Sequence, residues 1–152
     1  REAVDLVDLV ENVVAAHSLP ARAKLMHTEL TLQARRCLAE PALLISVMDN
    51  LYSNAVHYGA ESGNIRIHSY RHGEQVRIDV ANSGEPIPAA EKNMIFEPFY
   101  QGSHQRKGAV KGSGLGLSIA RDCVRQMQGE LSLVDAPAGQ VCFRITLPSA
   151  PE

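Results

Sequence analysis

The sequence has no tryptophan, few aromatic residues and only three cysteines. Cys37, Cys123 and Cys142 are an odd number at wide spacings, which is typical neither of a disulfide framework nor of a zinc cluster. Disulfide frameworks belong mainly to small secreted domains. We therefore expect three reduced thiols in the core of a cytosolic protein.

Long apolar runs and an excess of charge are also missing. No run approaches the roughly 18 to 20 apolar residues that span a bilayer, and no charged-then-apolar leader opens the chain. The net charge of -2 excludes a general attraction to nucleic acid or anionic membrane, so any phosphate binding has to be local. The chain enters a helical pattern at once, without an initiator methionine, and we expect it to be a fragment that lacks an upstream part.

The hydrophobic content is sufficient for one folded unit. At 152 residues with 45% hydrophobic content, the chain can bury one core and is too short for two ordinary domains. We therefore interpret residues 1–152 as a single domain. Hydrophobic periodicity predicts helices over 3–17, 41–58 and 115–128, and strands over 29–33, 65–67, 76–80, 131–133 and 141–147.

The order of these elements predicts the fold class. Strands occur in pairs rather than in strict alternation with helices, and His72-Gly73-Glu74 joins one pair as a hairpin. We expect an α/β (α+β) fold, a two-layer sandwich in which helices cover one face of a mixed, largely antiparallel sheet. Ser18-Leu19-Pro20 is predicted to end the first helix. The last helix is predicted to end at Gly129 and to bury Ile119, Ala120, Cys123, Val124 and Met127.

The helix over 41–58 carries three polar side chains beside its apolar stripe. At 100° per residue, Asn50, Asn54 and His57 lie within roughly 60° of the buried face. The simplest interpretation is a solvated polar face. However, two asparagines one turn apart are unfavourable in a helix, which indicates a ligand, and an amide oxygen is a neutral ligand suited to Mg²⁺.

A further polar group follows the strand over 76–80. Val76, Ile78 and Val80 point to one face, so Asn82 continues this inward-facing row. Ser83-Gly84 would let the backbone pass close to a flat base. A simple turn after the strand is the alternative interpretation.

The stretch from Gln101 to Ser113 has almost nothing to bury and is predicted to be a mobile loop. It contains the basic residues His104, Arg106, Lys107 and Lys111. The overlapping segment Gly112–Ser118 has three alternate glycines before a helix, which frees backbone amides to surround an anion. Its spacing is neither that of a Walker loop nor that of a dinucleotide fingerprint.

Four segments, in this order, resemble the motifs of one protein family. Asn50–Tyr58 resembles the N box, Asn82–Pro88 the first glycine box, Ile95–Tyr100 the F box and Gly112–Ser118 the second glycine box. They are similar to the histidine kinase branch of the gyrase, Hsp90, kinase and MutL ATPase superfamily. The resemblance implies the Bergerat form of the two-layer sandwich, with ATP and Mg²⁺ held between the second helix, the glycine segments and a mobile lid over about 101–113.

The resemblance also implies roles for individual residues. Asn54 would bind Mg²⁺, Asn50 would support the metal and phosphate as a second candidate ligand, and His57 would replace a basic residue near the phosphates. These three are the candidate catalytic residues. The candidate nucleotide-binding residues are Asn50, Asn54, His57, Tyr58, Asn82, Gly84, Ile87, Phe96, Phe99, Tyr100, Arg106, Lys107, Lys111, Gly112, Ser113, Gly114, Leu115, Gly116 and Leu117.

Two positions depart from the family pattern. Asn82 stands where the family usually has an aspartate that accepts the adenine amino proton, so the charge assistance is lost. Gln101 stands where an arginine often follows the aromatic pair. Arg106 and Lys107 are therefore the candidate cations that face the phosphates.

The resemblance implies the catalytic domain of a bacterial two-component sensor histidine kinase. Such a domain transfers the γ-phosphoryl group of ATP to a histidine on a separate helical dimerisation domain, for onward transfer to a response regulator. None of the six histidines lies in the His-Glu-x-x-Thr-Pro setting of the acceptor. Two alternatives are a superfamily ATPase, whose glutamate base is replaced here by Asn50, and a nucleotide-sensing, pseudokinase-like module.

The resemblance has consequences for the intact protein too. Most such kinases are homodimers in the inner membrane, and their catalytic domain faces the cytoplasm. We expect the fragment by itself to be monomeric and to have no nucleic-acid partner. Its lid and final helix look like those of enterobacterial sensor kinases.

Overall fold

The computed structural model describes residues 1–98, 100 and 116–151. Within them the chain forms four α-helices, seven β-strands and one short 3₁₀ turn at Ala89–Glu91. The helices are α1 (Leu6–Ala16), α2 (Ser18–Ala23), α3 (Pro41–Tyr58) and α4 (Gly116–Gln126). The strands are β1 (Glu2–Asp5), β2 (His27–Leu32), β3 (Arg36–Ala39), β4 (Asn64–His72), β5 (Gln75–Ser83), β6 (Glu130–Val134) and β7 (Gln140–Pro148).

A five-stranded sheet in the order β2-β4-β5-β7-β6 is the framework of the molecule. Strand β2 pairs parallel with β4, and the other neighbours are antiparallel. The predicted mixed, largely antiparallel α/β sandwich is therefore confirmed. The predicted hairpin is also present, because β4 and β5 pair up to His72↔Gln75 and Gly73 adopts the left-handed φ of 65° in the turn.

The core lies between one face of this sheet and the helices. Alternate residues of β5 are buried, in the order Val76, Ile78, Val80 and Asn82, as the period of two predicts. Helix α3 lies over this face and buries Leu44, Val47, Met48, Leu51, Tyr52, Ala55 and Val56. Burial of such a stripe fixes both the position of α3 and its rotation about its own axis.

Helix α3 has the predicted bounds. Pro41 occupies its first turn, where a missing N–H has no intrahelical partner to lose, and Gly59 follows its last residue. The second helix of the sequence prediction is therefore confirmed from end to end. This matters for function because α3 carries Asn50, Asn54 and His57.

The predicted first helix over 3–17 is wrong at its start, whereas its end agrees within one residue, because α1 ends at Ala16. Its first residues form β1, which pairs antiparallel with β3, a strand that the hydrophobic pattern did not indicate. The Asp5 carboxylate then accepts from the amides of Val7 and Asp8 and caps α1. Helix α1 stops just before Ser18-Leu19-Pro20, as predicted, but this segment also begins a second helix, α2. Pairing with a distant strand outweighs the local helical pattern here.

The last helix also differs in detail from the prediction. Helix α4 ends at Gln126, and the left-handed residue beyond it is Gln128 (φ 67°) rather than Gly129. Gly129 is needed for a different reason, because a Cβ there would overlap the carbonyl oxygen of Thr146. Four of the five predicted core positions on this helix are buried, but Ile119 is 45% exposed.

Within the described residues, no helix combines the length and apolarity that a bilayer crossing requires.

All three cysteines are free and buried, as predicted. Burial raises the pKa of the Cys37 thiol to about 12. Burial, together with the charge of Asp79, raises the pKa of the Cys142 thiol to about 11. Both thiols are therefore protonated near neutral pH, and the thiolate is the reactive form.

We predict that Cys37 and Cys142 resist alkylation in the folded protein. At pH 8 a thiol with a pKa near 11 is about 0.1% ionised, whereas an unfolded cysteine with a pKa near 8.5 is about 25% ionised. Labelling by iodoacetamide, followed by peptide mass spectrometry, is expected to be at least about a hundredfold slower in the folded chain than in urea. Equal rates under the two conditions would contradict the burial of these thiols.

Candidate functional site

A cavity lies where the last turns of α3 meet the end of β5. Residues of the segment after β5, the start of α4 and the inward face of β7 also line this cavity. Its lining residues are Asn54, Tyr58, Asn82, Glu85, Ile87, Ile95, Leu117, Val141 and Phe143. The lining thus combines polar and apolar side chains, an arrangement that suits a flat heterocycle carrying a polar tail.

The structure brings five of the predicted site residues together in this cavity. They are Asn54, Tyr58, Asn82, Ile87 and Leu117, which come from three of the four motif segments. Glu85, Ile95, Val141 and Phe143 were not among the predicted site residues, although Glu85 and Ile95 lie within two of the motif segments. Val141 and Phe143 belong to the inward row of β7, so strand alternation marks them as buried without showing that a cavity touches them.

Asn50 and His57 lie beside the cavity but do not line it. A Cβ on Gly116 would stand 3.3 Å from Oδ1 of Asn50, so the start of α4 passes closely over this amide. The His57 ring meets the Tyr58 ring edge-on, with 4.4 Å between the ring centroids. Because Gly116 has no Cβ, the second glycine box can approach Asn50 on α3 this closely.

The side-chain amide of Asn82 has a defined orientation. Asn82 is 7% exposed, and its Nδ2 donates to the carbonyl oxygen of Ser83 at 3.0 Å. Because a carbonyl oxygen can only accept, the NH₂ end has to face Ser83. The Oδ1 end is left as the group that a ligand in the cavity can use, and it presents an acceptor.

Gly84 allows the backbone after β5 to pass close to α3. Its φ of 155° lies in a region that favours glycine. A Cβ at this position would stand 3.1 Å from the carbonyl oxygen of Tyr58 and 3.3 Å from Nδ2 of Asn82. The close approach seen at Gly84 is to the end of α3, and the predicted approach to a flat base stays a prediction.

Phe96, in the F-box segment, is held by contacts from two other elements. Its ring meets the Phe143 ring edge-on, with 6.1 Å between centroids. The guanidinium carbon of Arg121 lies 4.9 Å above the same ring, a cation–π distance. The Tyr100 hydroxyl donates to the Glu91 carboxylate. Arg121 is a contact that no sequence motif indicated.

Asp49, the carboxylate next to Asn50 in sequence, points away from the cavity. Its Oδ1 lies 2.7 Å from Nε2 of His17 at the end of α1. The His17 ring in turn lies 5.8 Å from that of Tyr52. Asp49 therefore takes part in the contact between α1 and α3.

Several predicted site residues lie outside the described residues. They are Phe99, Arg106, Lys107, Lys111, Gly112, Ser113, Gly114 and Leu115, together with the rest of the predicted lid.

Residues 39–151 match the family of histidine kinase-, DNA gyrase B- and HSP90-like ATPases. The chain belongs to this family. Within this ATPase family it is 72% identical to the sensor histidine kinase GlrK of Escherichia coli (strain K12), over 98% of the chain and 31% of GlrK. The chain therefore spans about a third of the length of that relative.

Solved structures of histidine kinases have the same fold. The catalytic domain of histidine kinase ThkA superposes with a TM-score of 0.84 at 29% identity, covering 97% of this chain and 94% of the ThkA domain. Histidine kinase ThkA has also been solved in complex with the response regulator TrrA, with a TM-score of 0.80 at 27% identity, covering 98% of this chain and 42% of that chain. The chain is thus the ATP-binding catalytic domain of a sensor histidine kinase.

Proposed function

We propose that this domain transfers the γ-phosphoryl group of ATP to a histidine on a separate helical dimerisation domain of the same kinase. The phosphoryl group then passes to an aspartate of a response regulator. The observation that carries this proposal is the cavity itself, whose lining includes the N-box residue Asn54 and the first-glycine-box residue Asn82. The catalytic domain contributes position and charge, which dominate phosphoryl transfer.

The adenine base is assigned to the cavity. Oδ1 of Asn82 would accept from its exocyclic amino group, and Ile87, Leu117 and Phe143 would contact its faces. Tyr58 would lie beside the nucleotide. Gly84, Phe96, Phe99 and Tyr100 would support the site, since Gly84 closes the wall next to Asn82 and Phe96 packs on Phe143.

The phosphates are assigned to the side of Asn50 and His57. There the glycines of 112–117 would offer backbone amides, and Arg106, Lys107 and Lys111 would supply positive charge. His57 would orient or neutralise the phosphates from its rigid helix.

The residues present fit a magnesium ion bound with the nucleotide. The amide of Asn54 lines the cavity and makes no hydrogen bond to any described residue, so its oxygen is available as a ligand. Mg²⁺ commonly takes few ligands from the protein and the rest from phosphates and water, which matches a single amide. Asn54 would hold the ion, with Asn50 as the second candidate ligand, and the ion would neutralise charge on the phosphates.

ATP hydrolysis is the weaker candidate activity. Hydrolytic relatives have a glutamate base for water where this chain has Asn50. The nearest alternative in sequence is Asp49, which lies about 100° away around the helix and contacts His17. No carboxylate of α3 is therefore placed to activate a water molecule.

The partners and location of the intact kinase follow from the same assignment. The ThkA–TrrA complex supports a response regulator as the partner. We infer that the intact protein is a homodimer in the inner membrane, that residues 1–152 form its single catalytic domain on the cytoplasmic side, and that this domain alone is monomeric and binds no nucleic acid.

The decisive experiment separates the catalytic domain from its acceptor. Mixed with ATP and Mg²⁺, the chain is expected to bind nucleotide but to acquire no acid-labile phosphohistidine, because His57 is on a rigid helix and cannot move in line with the γ-phosphate. Adding the separately produced dimerisation domain should give slow labelling in trans, since the tether is absent. Labelling is followed with radioactive ATP and mass spectrometry. Phosphate on a histidine of this chain, or none on the added domain, would contradict the proposal.

Replacing Asn54 tests the metal assignment. Asn54→Ala should weaken Mg²⁺-dependent ATP binding about 10- to 100-fold, the loss expected for one interaction with a charged group. The free energy of unfolding should stay the same or rise by about 0.5 kcal/mol, because alanine is the better helix former. Calorimetric titration with and without Mg²⁺ measures the first effect and urea unfolding the second. Ser53→Ala, on the same turn, is the control, and full activity in folded Asn54→Ala would refute the role.

Replacing Asn82 tests the base assignment. Asn82→Ala removes the acceptor and should weaken ATP binding by about 1–2 kcal/mol, while the binding of GTP changes less. The expected selectivity for ATP arises because adenine offers a donor where guanine offers an acceptor. Competition titrations with the two nucleotides provide the measurement, and the exposed Asn93→Ala is the control. An unchanged ratio of the two dissociation constants would mean that Asn82 does not recognise the base.

A further inference from the structure

Three carbonyl oxygens at the end of α3 converge on one ammonium group. Nζ of Lys24 donates to the carbonyl oxygens of Val56 at 2.8 Å, His57 at 2.9 Å and Gly59 at 2.7 Å. A lysine ammonium has three N–H donors, so these bonds use all of them. Lys24 directly follows α2 and belongs to none of the four motif segments.

This contact supplies hydrogen bonds to two of the carbonyl groups at the helix end. The last four carbonyl groups of a helix have no intrahelical partner. In α3 the oxygen of Ala55 accepts from the Gly59 amide at 2.9 Å, and those of Val56 and His57 accept from Lys24. Gly59 has a φ of -68°, so the usual left-handed cap is absent. Lys24 replaces that cap and places a positive charge at the negative end of the helix.

The segment around Lys24 holds the ammonium in place. The carbonyl oxygen of Lys24 accepts from the Ser62 amide at 2.8 Å. The Met26 side chain packs where a Cβ on Gly59 would be, so the chain on both sides of the α3 end is fixed against the α2–β2 turn. Burial lowers the pKa of the Lys24 ammonium, and the charge of Glu61 partly opposes this shift. The three carbonyls thus replace water that the ammonium has lost.

The turn that Lys24 holds is also a wall of the cavity. Asn54 and Tyr58 both line the cavity and lie in the last turns of α3. The carbonyl oxygen of Tyr58 lies against Gly84, and the Ala60 amide donates to the Ser83 carbonyl at 2.8 Å. The distance between Tyr58 and Asn82, which both line the cavity, therefore depends on where this turn ends.

We infer that Lys24 is a positioning residue for the nucleotide site, acting through the carbonyl groups of the last turn of α3. It does not contact the nucleotide. It sets the end of the helix, and with it the distance from Tyr58 and Asn54 to the adenine-reading end of β5. This inference rests on the proposed assignment of the cavity to ATP.

The test compares four chains. Lys24→Met keeps the length of the side chain but removes all three donors, and Lys24→Arg keeps both charge and donors. Arg22→Ala removes a positive charge from the exposed last turn of α2, where Arg22 has no hydrogen bond or ion pair with any described residue. Dissociation constants for ATP with Mg²⁺ are measured for these variants and the unaltered chain by calorimetry, at a temperature where circular dichroism shows each chain to be fully folded.

We expect about a tenfold weaker affinity for Lys24→Met. Lys24→Arg should recover to within about threefold of the unaltered chain, and Arg22→Ala should not differ from it. A folded Lys24→Met chain with unaltered affinity, or an equal loss in Arg22→Ala, would overturn the inference. If the unaltered chain itself binds no ATP, the proposed function fails instead. Should Lys24→Met not fold, Lys24→Ala, which also lacks all three donors, is measured by the same criteria.

A rescue experiment distinguishes the three bonds from general stability. In Lys24→Ala, methylammonium can enter the space left by the side chain and donate to the same carbonyl groups. Tetramethylammonium at equal ionic strength has no N–H to donate. We expect methylammonium alone to recover at least part of the lost affinity for ATP. Equal effects of the two ions, or no effect of either, would show that the carbonyl contacts do not control the site.

Discussion

The contact between the last turn of α3 and the end of β5 is the constraint on which the rest of the site depends. At this point the carbonyl oxygen of Tyr58 lies against Gly84, and the Ala60 amide donates to Ser83. Helix α3 is held there by its apolar stripe, and each fully buried aliphatic side chain contributes about 1.5–3 kcal/mol. The polar residues of α3 contribute little to that packing. Asn54 lines the cavity because the apolar residues fix the rotation of the helix.

The charges of the molecule are arranged so that the cavity is mostly neutral. Asp49 is engaged by His17, and Asp79 on the opposite face of the sheet forms a two-pronged ion pair with Arg144 at 2.8 and 3.1 Å. Among the described residues that line the cavity, Glu85 is the one carboxylate. Neutral amides can bind a base and a hydrated metal ion without adding the repulsion that carboxylates would exert on a triphosphate. In our proposal the positive charge comes from the basic residues of 101–113.

Tertiary contacts account for the site features that motifs did not indicate. Phe143 and Arg121 are separated from Phe96 by many residues, and they meet it only because β7 and α4 pack beside the F-box segment. Lys24 reaches the end of α3 from a turn more than thirty residues earlier. Such residues have no local signature, since a single arginine or lysine in a sequence is usually a solvated surface charge. Their roles depend on the distances that folding creates.

Local periodicity was sufficient to predict much of the fold and the direction of Asn82, one of the polar residues that line the cavity. The sequence determined the bounds of α3, the β4–β5 hairpin and the inward direction of Asn82, because each depends on residues that are neighbours along one element. It failed at β1, whose helical pattern yields to pairing with β3, and at Ile119, which helical spacing places near the core but the packing of α4 leaves exposed. Only the tertiary structure decided the orientation of the Asn82 amide, the contribution of β7 to the cavity and the partner of the α3 carbonyl groups. These features arise from atoms that are distant in sequence or from the direction of one hydrogen bond, and neither is encoded in the spacing of residue types.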